Sequence, residues 1–284
     1  MIDRQSRYME LQAKLNRFAT ITLEDMSGVK LMNRIDTKYL TSIEKLLRLL
    51  EMAHAEYMVQ EIDNNSNLPY YTMYLDTDEH RMYVDHLRGK KFRKKIRVRR
   101  YESTMLSFLE IKSKNNKGRT KKKRIKCNIN EIEKYRDFIS DHSPHNYHSL
   151  RRCIENRFNR ITLVNRHMTE RLTIDSCLRF HNLENGNKVI LPDLAIIELK
   201  RRSNASSSVA QILNRLQIRP SGFSKYCIGM ALTDPLLRQN RFKPRLKSIA
   251  RHTAIVKDYS VWPKECLSPI TPPDTWPNSN TDKL

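Results

Sequence analysis

Charged and apolar residues alternate in several short stretches of the chain. The clearest stretch is residues 95–99 (KIRVR), and the pattern recurs at residues 110–112 (EIK) and 124–126 (RIK). A period of two is typical of a β-strand whose two faces meet different surroundings. We therefore predict strands that carry charge on one face and Ile, Val or Leu on the other.

The same alternation occurs outside this block, at residues 34–38 (RIDTK), 171–175 (RLTID) and 196–200 (IIELK). In an open sheet the charged faces would point to bulk water. In a closed barrel they would point inward, with helices covering the apolar outer face. The predicted fold class is α+β, with a closed antiparallel β-barrel tunnel of about eight strands and helices packed outside.

The pattern also places the remaining elements. Strands are predicted near residues 33–40, 70–76, 94–101, 105–114, 121–127, 158–164, 170–180 and 188–200. Helices are predicted near residues 4–18, after a cap at Thr41 or Ser42, within 76–88, and at 129–139, 209–216 and 225–232. Residues 115–119, which contain Gly118, are predicted to form a turn.

Three regions follow from this pattern: an N-terminal helix in residues 1–24, a main domain in 25–235 and a C-terminal extension in 236–284. Five of the eleven prolines lie from Pro263 onward, among polar residues. Such a composition lacks the apolar side chains that a packed core requires. The extension is therefore predicted to be partly disordered.

The net charge of the chain indicates which class of molecule it binds. The chain has 53 Lys and Arg against 31 Asp and Glu, a formal net charge of +22. Residues 88–126 alone hold 18 of the basic residues and two acids, Glu102 and Glu110. Such an excess favours a polyanionic partner, which can be nucleic acid, an acidic membrane surface or a chain of phosphates.

Three features bear on location and on the type of phosphate site. No run of about 18 apolar residues exists, and the first ten residues lack the apolar core of a signal peptide. The five cysteines are scattered without a C-x-x-C pair, which predicts a reducing, cytoplasmic location, with peripheral attachment at the inner membrane face left open. The six glycines are never clustered, so any phosphate must be bound by side chains rather than by a glycine-rich loop.

Eight short motifs follow one another along the chain, at residues 33–39 (NRIDTKY), 74–77 (YLDT), 95–101 (KIRVRRY), 109–114 (LEIKSK), 159–162 (NRIT), 171–175 (RLTID), 197–200 (IELK) and 224–226 (SKY). Taken in this order, they resemble the VTC domain, a polyphosphate polymerase of the CYTH-like triphosphate tunnel metalloenzyme superfamily, in its stand-alone bacterial form. The resemblance implies an antiparallel β-tunnel that encloses a polyphosphate chain.

The resemblance also implies the site residues. The catalytic phosphate-contacting residues would be Lys38, Arg97, Arg99, Lys112, Arg160 and Lys225. Further substrate-binding candidates are Lys114, Arg124, Arg171 and Lys200. Glu198 matches the family's metal-binding glutamate for Mn²⁺ or Mg²⁺, and Glu110 either assists it or forms a salt bridge with a neighbouring base. Asp36 and Asp175 are expected to be structural partners of the arginines.

The activity implied by the resemblance is transfer of the terminal phosphate of ATP to a growing polyphosphate chain. A separate membrane protein partner is also implied. One alternative is a triphosphatase, although the Glu-x-Glu-x-Lys run of CYTH hydrolases is replaced here by residues 34–38 (RIDTK). A second alternative is a non-catalytic polyphosphate-binding subunit. Nucleic-acid binding is not expected, because aromatic rings for stacking, such as Phe92 and Tyr101, are sparse in the basic block.

Overall fold

A computed structural model describes residues 4–28, 34–116, 120–202 and 206–257. The helices are α1 (Arg4–Leu15), α2 (Ile43–Ala53), α3 (Arg81–Leu87), α4 (Arg136–His142), α5 (Ser208–Arg215), α6 (Lys225–Thr233) and α7 (Lys243–Ala250). The strands are β1 (Ala19–Ile21), β2 (Arg34–Ser42), β3 (Tyr57–Gln60), β4 (Leu68–Thr77), β5 (Arg93–Tyr101), β6 (Leu106–Lys114), β7 (Thr120–Lys126), β8 (Leu150–Asn165), β9 (Glu170–Asn182), β10 (Lys188–Leu191) and β11 (Leu194–Arg202).

The strands form one large sheet, and the α+β class is confirmed. Its main path of eight antiparallel strands runs in the order β2-β11-β9-β8-β4-β5-β6-β7. Strand β10 pairs with β9, and β3 pairs with β8 and, in parallel, with β1. Among the described residues no hydrogen-bonded pairing joins β2 to β7, so the closed barrel expected from the sequence is not confirmed. In the part of the chain that the structure describes, β7 pairs with β6 alone, and it is exposed at every residue.

One face of the sheet packs beneath α1, α2 and α5. Alternate residues of β9 and β11, such as Ile174, Ile197 and Leu199, share a buried core with Leu46 and Leu50 of α2. Helix α2 begins where Ser42 accepts a hydrogen bond from the Lys45 amide at 3.3 Å, which confirms the predicted cap. The opposite residues of these strands are therefore left for the other face of the sheet.

Helix α6 differs from the other helices because it is buried on nearly all sides. Ser224 caps its first turn by accepting from the Cys227 amide at 3.2 Å. Tyr226 donates to the buried carboxylate of Asp76 and stacks on Tyr74 of β4 at 5.2 Å between ring centroids. These contacts fix the start of α6, and with it Lys225, against the charged strands.

Several predicted elements differ in the structure. The helix expected at residues 129–139 is a short 3-10 segment, Ile132–Tyr135, followed by α4. The strand expected at residues 188–200 is divided into β10 and β11 by a turn at Pro192, which has no amide hydrogen to continue a ladder. Strands β1 and β3 were not predicted, because they are only three and four residues long.

The first part of the C-terminal extension packs on the main domain. Phe242 and Ile249, the latter in α7, are buried in the same core as α6. The disorder expected of the extension stays a prediction for residues 258–284, which lie outside the described residues, as does most of the turn around Gly118. In the described part of the chain, no helix combines the length and apolar character needed to cross a membrane.

Gly229 provides a test of how tightly α6 is packed. A Cβ atom there would lie 2.5 Å from Phe180 Cδ1 and 2.8 Å from Ile154 Cδ1, both in the core. Alanine normally stabilises a helix interior by about 1 kcal/mol over glycine. We expect Gly229→Ala instead to lower the free energy of unfolding by about 2 kcal/mol, through overpacking, in urea denaturation.

Gly222→Ala is the matched control for this substitution. The three atoms nearest to its new Cβ all belong to the guanidinium end of Arg245, which can move away. The control should unfold at nearly the wild-type urea concentration. Equal stability of Gly229→Ala and wild type would show that α6 is not held against β8 and β9 as described.

Candidate functional site

The charged residues of the strands lie together on the face opposite the α1, α2 and α5 layer. Strand register places Lys38 opposite Glu198, Arg160 opposite Asp175, and Arg97 opposite Glu110. The surface formed by these residues together with Arg99, Lys112 and Lys200 is called the concave face below. This face forms because every second residue of each strand points to the same side of the sheet.

The concave face is strongly curved. Four strands separate β11 from β6 on the hydrogen-bonded path, so a flat sheet would hold Glu198 and Lys112 about 24 Å apart. Charges at that separation are largely screened in water. The pKa of Lys112 is lowered well below its usual range by Arg97 and by burial, and the negative charge of Glu198 partly opposes this lowering. The two side chains therefore approach each other across the face.

Arg97 and Glu110 form the most enclosed ion pair of the site. Arg97 Nε donates to Glu110 Oε2 at 2.7 Å, and Lys122 Nζ of β7 donates to Oε1 at 3.0 Å. The Glu110 side chain is 1% exposed. Although burial acts in the opposite direction, Arg97, Arg99 and Lys122 hold the pKa of Glu110 well below its usual range. Both oxygens of Glu110 are thus engaged by bases, which is the salt-bridge arrangement considered from the sequence.

Arg99 has no comparable counter-ion. Within the described residues, no carboxylate oxygen lies within 4.0 Å of its guanidinium, and its Nε donates to Thr72 Oγ1 at 3.4 Å. The guanidinium lies over the rings of Tyr70 and Phe158, at 5.7 and 5.9 Å from their centroids. Burial and the charges of Arg97 and Arg160 lower the pKa of Arg99 to about 10. Arg99 is a buried cation held among other cations.

Asp175 joins two of the predicted phosphate-contacting residues. Arg160 donates to both of its oxygens, at 2.6 and 2.8 Å, and Lys225 donates to Oδ2. This confirms the expected structural role of Asp175 as the partner of an arginine. Lys225 Nζ also lies 3.8 Å from the centroid of the Phe158 ring. Burial, opposed by Asp175 and reinforced by Arg160, lowers the pKa of Lys225 to about 7.

Glu198 is the more accessible of the two candidate metal ligands. Its Oε1 accepts from Lys38 Nζ at 2.6 Å, its Oε2 lies 3.5 Å from Lys200 Nζ, and its side chain is 21% exposed. Mg²⁺ and Mn²⁺ favour oxygen ligands, and Mg²⁺ is commonly held by one or two carboxylates together with substrate phosphates. Glu198 fits that requirement, whereas Glu110, whose side chain is 1% exposed, leaves less room for an ion.

The four secondary candidates fall into two groups. Lys200 belongs to the concave face, and Arg171 lies opposite it in register and acts on its pKa. Lys114 lies at the end of β6 and lines a separate groove with Phe92 and Lys94. Arg124 is exposed on the edge strand, over the Phe108 ring at 4.8 Å. The structure therefore places Lys200 and Arg171 in the main cluster. Lys114 and Arg124 lie on β6 and β7, at the edge of the sheet.

Sequence reasoning missed several residues of the face. Tyr70 and Phe158 form an aromatic surface beneath Arg99, Arg160 and Lys225, and their own rings stack at 5.3 Å. Lys95 Nζ donates to Ser224 Oγ at 2.6 Å and so links β5 to the start of α6. Tyr70, Thr72 and Tyr74 alternate along β4, and this pattern could have indicated an aromatic surface on one face of the strand. No local pattern could have paired Lys95 with Ser224, which is 129 residues away.

The buried ion pair between Arg97 and Glu110 leads to a prediction about the stability of the protein. Glu110→Gln would leave Arg97 buried beside Arg99 without its counter-charge. Breaking one side of a buried pair costs about 3 kcal/mol or more. We expect this loss in the free energy of unfolding from urea denaturation. Glu131→Gln is the matched control, because its pair with Lys134 is exposed and should contribute little. An unchanged midpoint for Glu110→Gln would contradict the role of Glu110 as a structural anion.

The fold was compared with solved structures. A candidate adenylate cyclase from Bacillus halodurans is 16% identical, with 68% of this chain and 96% of that chain covered and a TM-score of 0.43. A candidate adenylyl cyclase from Hippeastrum with a dominant triphosphatase activity is 13% identical, with coverages of 70% and 96% and a TM-score of 0.43. A protein from Pyrococcus horikoshii is 12% identical, with coverages of 70% and 98% and a TM-score of 0.41.

The sequence was compared with curated proteins and with protein families. No curated protein matches the chain. The sequence model of the VTC domain matches residues 33–233, which include β2 to α6 and every residue of the concave face named above. That span is more than half of the 284 residues and agrees with the motifs noted in the sequence. The chain belongs to the VTC domain family.

Proposed function

We propose that this protein is a polyphosphate polymerase, an ATP–polyphosphate phosphotransferase that works on its concave face. The observation that carries the proposal is the crowding of Arg97, Arg99, Arg160 and Lys225 into one buried, curved surface with too few acids to neutralise them. A solvated sheet face would not hold arginines at 8% exposure. A polyanion fits such a surface because fixed cations can replace the water that its charges lose.

The electrostatics of the concave face support a ligand with several adjacent negative charges. The pKa of Lys225 is lowered to about 7 by burial, and that of Lys112 is lowered well below its usual range by Arg97 and burial. Each of these shifts means that the charged form is disfavoured until an anion arrives. A chain of phosphates, which places a charge every few ångströms, would relieve several cations together.

The residues divide into two kinds of phosphate contact. Arg97, Arg99 and Arg160 offer planar, multidentate donors to phosphate oxygens. Lys38, Lys112 and Lys225 supply compact charges that suit the bridging and terminal oxygens of a chain. Glu198 would hold Mn²⁺ or Mg²⁺, and such an ion would neutralise charge that develops on the transferred phosphoryl group. Lys200 and Arg171 extend the basic surface beyond this centre.

The proposed reaction is in-line phosphoryl transfer. A terminal oxygen of the polyphosphate chain forms a bond to the γ-phosphorus of ATP, the bond between that phosphorus and the β–γ bridging oxygen breaks, and ADP leaves with the electron pair. The attacking oxygen is ionised at neutral pH, so no protein base has to remove a proton. Catalysis then rests on alignment of the two ends and on neutralisation of the equatorial oxygens.

The carboxylates of the face favour transfer over hydrolysis. Hydrolysis requires a group that orients or activates water. Burial acts to raise the pKa of Glu110, Asp175 and Glu198, but the lysines and arginines that donate to them hold the pKa of each carboxyl well below its usual range. Such carboxylates are poor bases. We therefore propose ATP and inorganic polyphosphate as substrates. A separate membrane protein that receives the product and a cytoplasmic location belong to the same proposal.

The activity can be tested with ATP and Mn²⁺. We expect ADP to form together with chains that a polyphosphatase degrades. Arg99→Met should abolish synthesis without lowering the melting temperature, because it removes a cation that repels its neighbours. Arg100→Met is the matched control: Arg100 is equally buried but belongs to the opposite face of β5, so synthesis should continue. ADP with free phosphate as the sole products would contradict the polymerase and indicate a triphosphatase. If neither ADP nor polyphosphate forms, the protein is instead a non-catalytic binding subunit.

Lys225 provides a test of ligand binding that does not depend on turnover. Because its pKa is lowered to about 7, it is largely neutral at pH 8 when the face is empty. A bound phosphate chain favours the charged form, so binding at pH 8 should take up protons, and at pH 6 this uptake should vanish because Lys225 is already charged. Calorimetric titration with tripolyphosphate in buffers of different ionisation enthalpy measures the uptake.

Lys225→Arg is the control for proton uptake. Arginine keeps the charge but stays protonated over this pH range. The variant should bind tripolyphosphate at pH 8 with about one proton fewer taken up than the wild type. Protonation of the ligand itself is the same in both titrations and cancels from the comparison. Identical uptake in the two proteins would show that Lys225 does not face the bound phosphates.

A further inference from the structure

A second group of chemically reactive side chains lies outside the concave face. His80, Cys153 and Glu184 place one ring nitrogen, one sulfur and one carboxylate oxygen within 4.8 Å of one another. Within the described ranges, this is the one cluster of three or more such side chains that could hold a metal ion. His80 Nε2 and Glu184 Oε2 are 3.3 Å apart. None of the three residues belongs to the proposed phosphate site.

Three separate segments bring these ligands together. His80 precedes α3, with a left-handed backbone at φ 52°, Cys153 lies within β8, and Glu184 follows β9 in the turn before β10. The Leu183 amide donates to the Cys153 carbonyl at 2.9 Å, and the Glu184 amide donates to Asn182 Oδ1 at 2.9 Å. The backbone of the cluster is thus fixed before any ion binds, which reduces the ordering cost of binding.

The surroundings of the cluster favour a cation, in contrast to the rest of this basic chain. Asp76 is completely buried, and its oxygens accept from the amides of Met82 and Tyr83. It therefore contributes negative charge without acting as a fourth ligand. The His80 Nδ1 atom is buried with no hydrogen-bond partner among the described residues.

We propose that His80, Cys153 and Glu184 form a zinc site that ties the β4–α3 corner to β8 and to the β9–β10 turn. Zn²⁺ takes sulfur, nitrogen and carboxylate oxygen in tetrahedral geometry, with bonds of about 2.0 to 2.3 Å, which places ligand atoms roughly 3.5 Å apart. The observed spacing needs only side-chain adjustment to reach that value. Three protein ligands leave one position for water. The thiolate selects against Mg²⁺ and Mn²⁺, so this site differs in kind from the one at Glu198.

The site also has a structural consequence for the concave face. Helix α3 contacts α6 through Tyr83, whose ring lies 6.4 Å from that of Tyr226, centroid to centroid. Tyr226 is the neighbour of Lys225 at the start of α6. A zinc ion that joins the start of α3 to β8 would stiffen the frame that supports this helix. Zinc binding should therefore raise the melting temperature of the full chain even without a phosphate ligand.

The test uses the full chain after chelator treatment and dialysis against one equivalent of Zn²⁺. We expect one zinc per chain by elemental analysis in the presence of excess Mg²⁺. Co²⁺ in place of zinc should give the near-ultraviolet charge-transfer band of a cobalt–thiolate bond. Cys153→Ser should lose both the band and the bound zinc. Cys127→Ser is the matched control, because this buried cysteine lies at the end of β7, away from the cluster, and should keep both.

Glu184→Gln is a second variant that tests the zinc site if Cys153→Ser disturbs the fold. Glu184 lies in a surface turn, so the substitution should leave the fold intact, keep the cobalt–thiolate band and weaken zinc binding at least tenfold. Wild-type protein that retains no zinc, or a cobalt band that persists unchanged in folded Cys153→Ser, would overturn the site. Equal zinc affinity of Glu184→Gln and wild type would remove Glu184 from it.

Discussion

Repulsion between buried cations is the interaction on which this structure depends. Arg97, Arg99, Arg160 and Lys225 share one curved surface, and only Arg97, Arg160 and Lys225 have a carboxylate within reach. An arrangement of this kind is unfavourable unless the rest of the fold compensates for it. The two apolar layers on either side of the main domain, one under α2 and one around α6, supply the burial that holds the strands in place.

The same constraint explains where the few acids lie. Glu110, Asp175 and Glu198 occupy positions at which one carboxylate contacts two cations from different strands or helices. Each acid therefore lowers the repulsion between cations of two neighbouring elements. The acids help the face to form, and the remaining excess of positive charge is what makes it suited to a polyanion. The excess of buried cations thus destabilises the folded protein but favours the binding of a polyanion.

Much of this could be predicted from the sequence because strand alternation is a local signal. The alternation at residues 95–99 and 196–200 correctly gave strands with a charged face, and the cap at Ser42 correctly gave the start of α2. The curvature of the sheet could not be predicted in the same way. It depends on contacts such as Lys95 with Ser224 and Lys225 with Asp175, between residues 129 and 50 positions apart. The site residues followed mainly from motif resemblance, whereas the pairing of Glu110 with Lys122 depends on the register of an edge strand.

The open edge at β7 has a consequence for the behaviour of the protein in concentrated solution. A strand with unpaired amide and carbonyl groups can add to the edge of another molecule and begin an aggregate. Here the edge bears Lys121, Lys122, Lys123, Arg124 and Lys126, and two such edges repel each other. A long polyanion that coats these side chains would remove that repulsion. The solubility of the chain would then depend on how much polyanion binds along this edge.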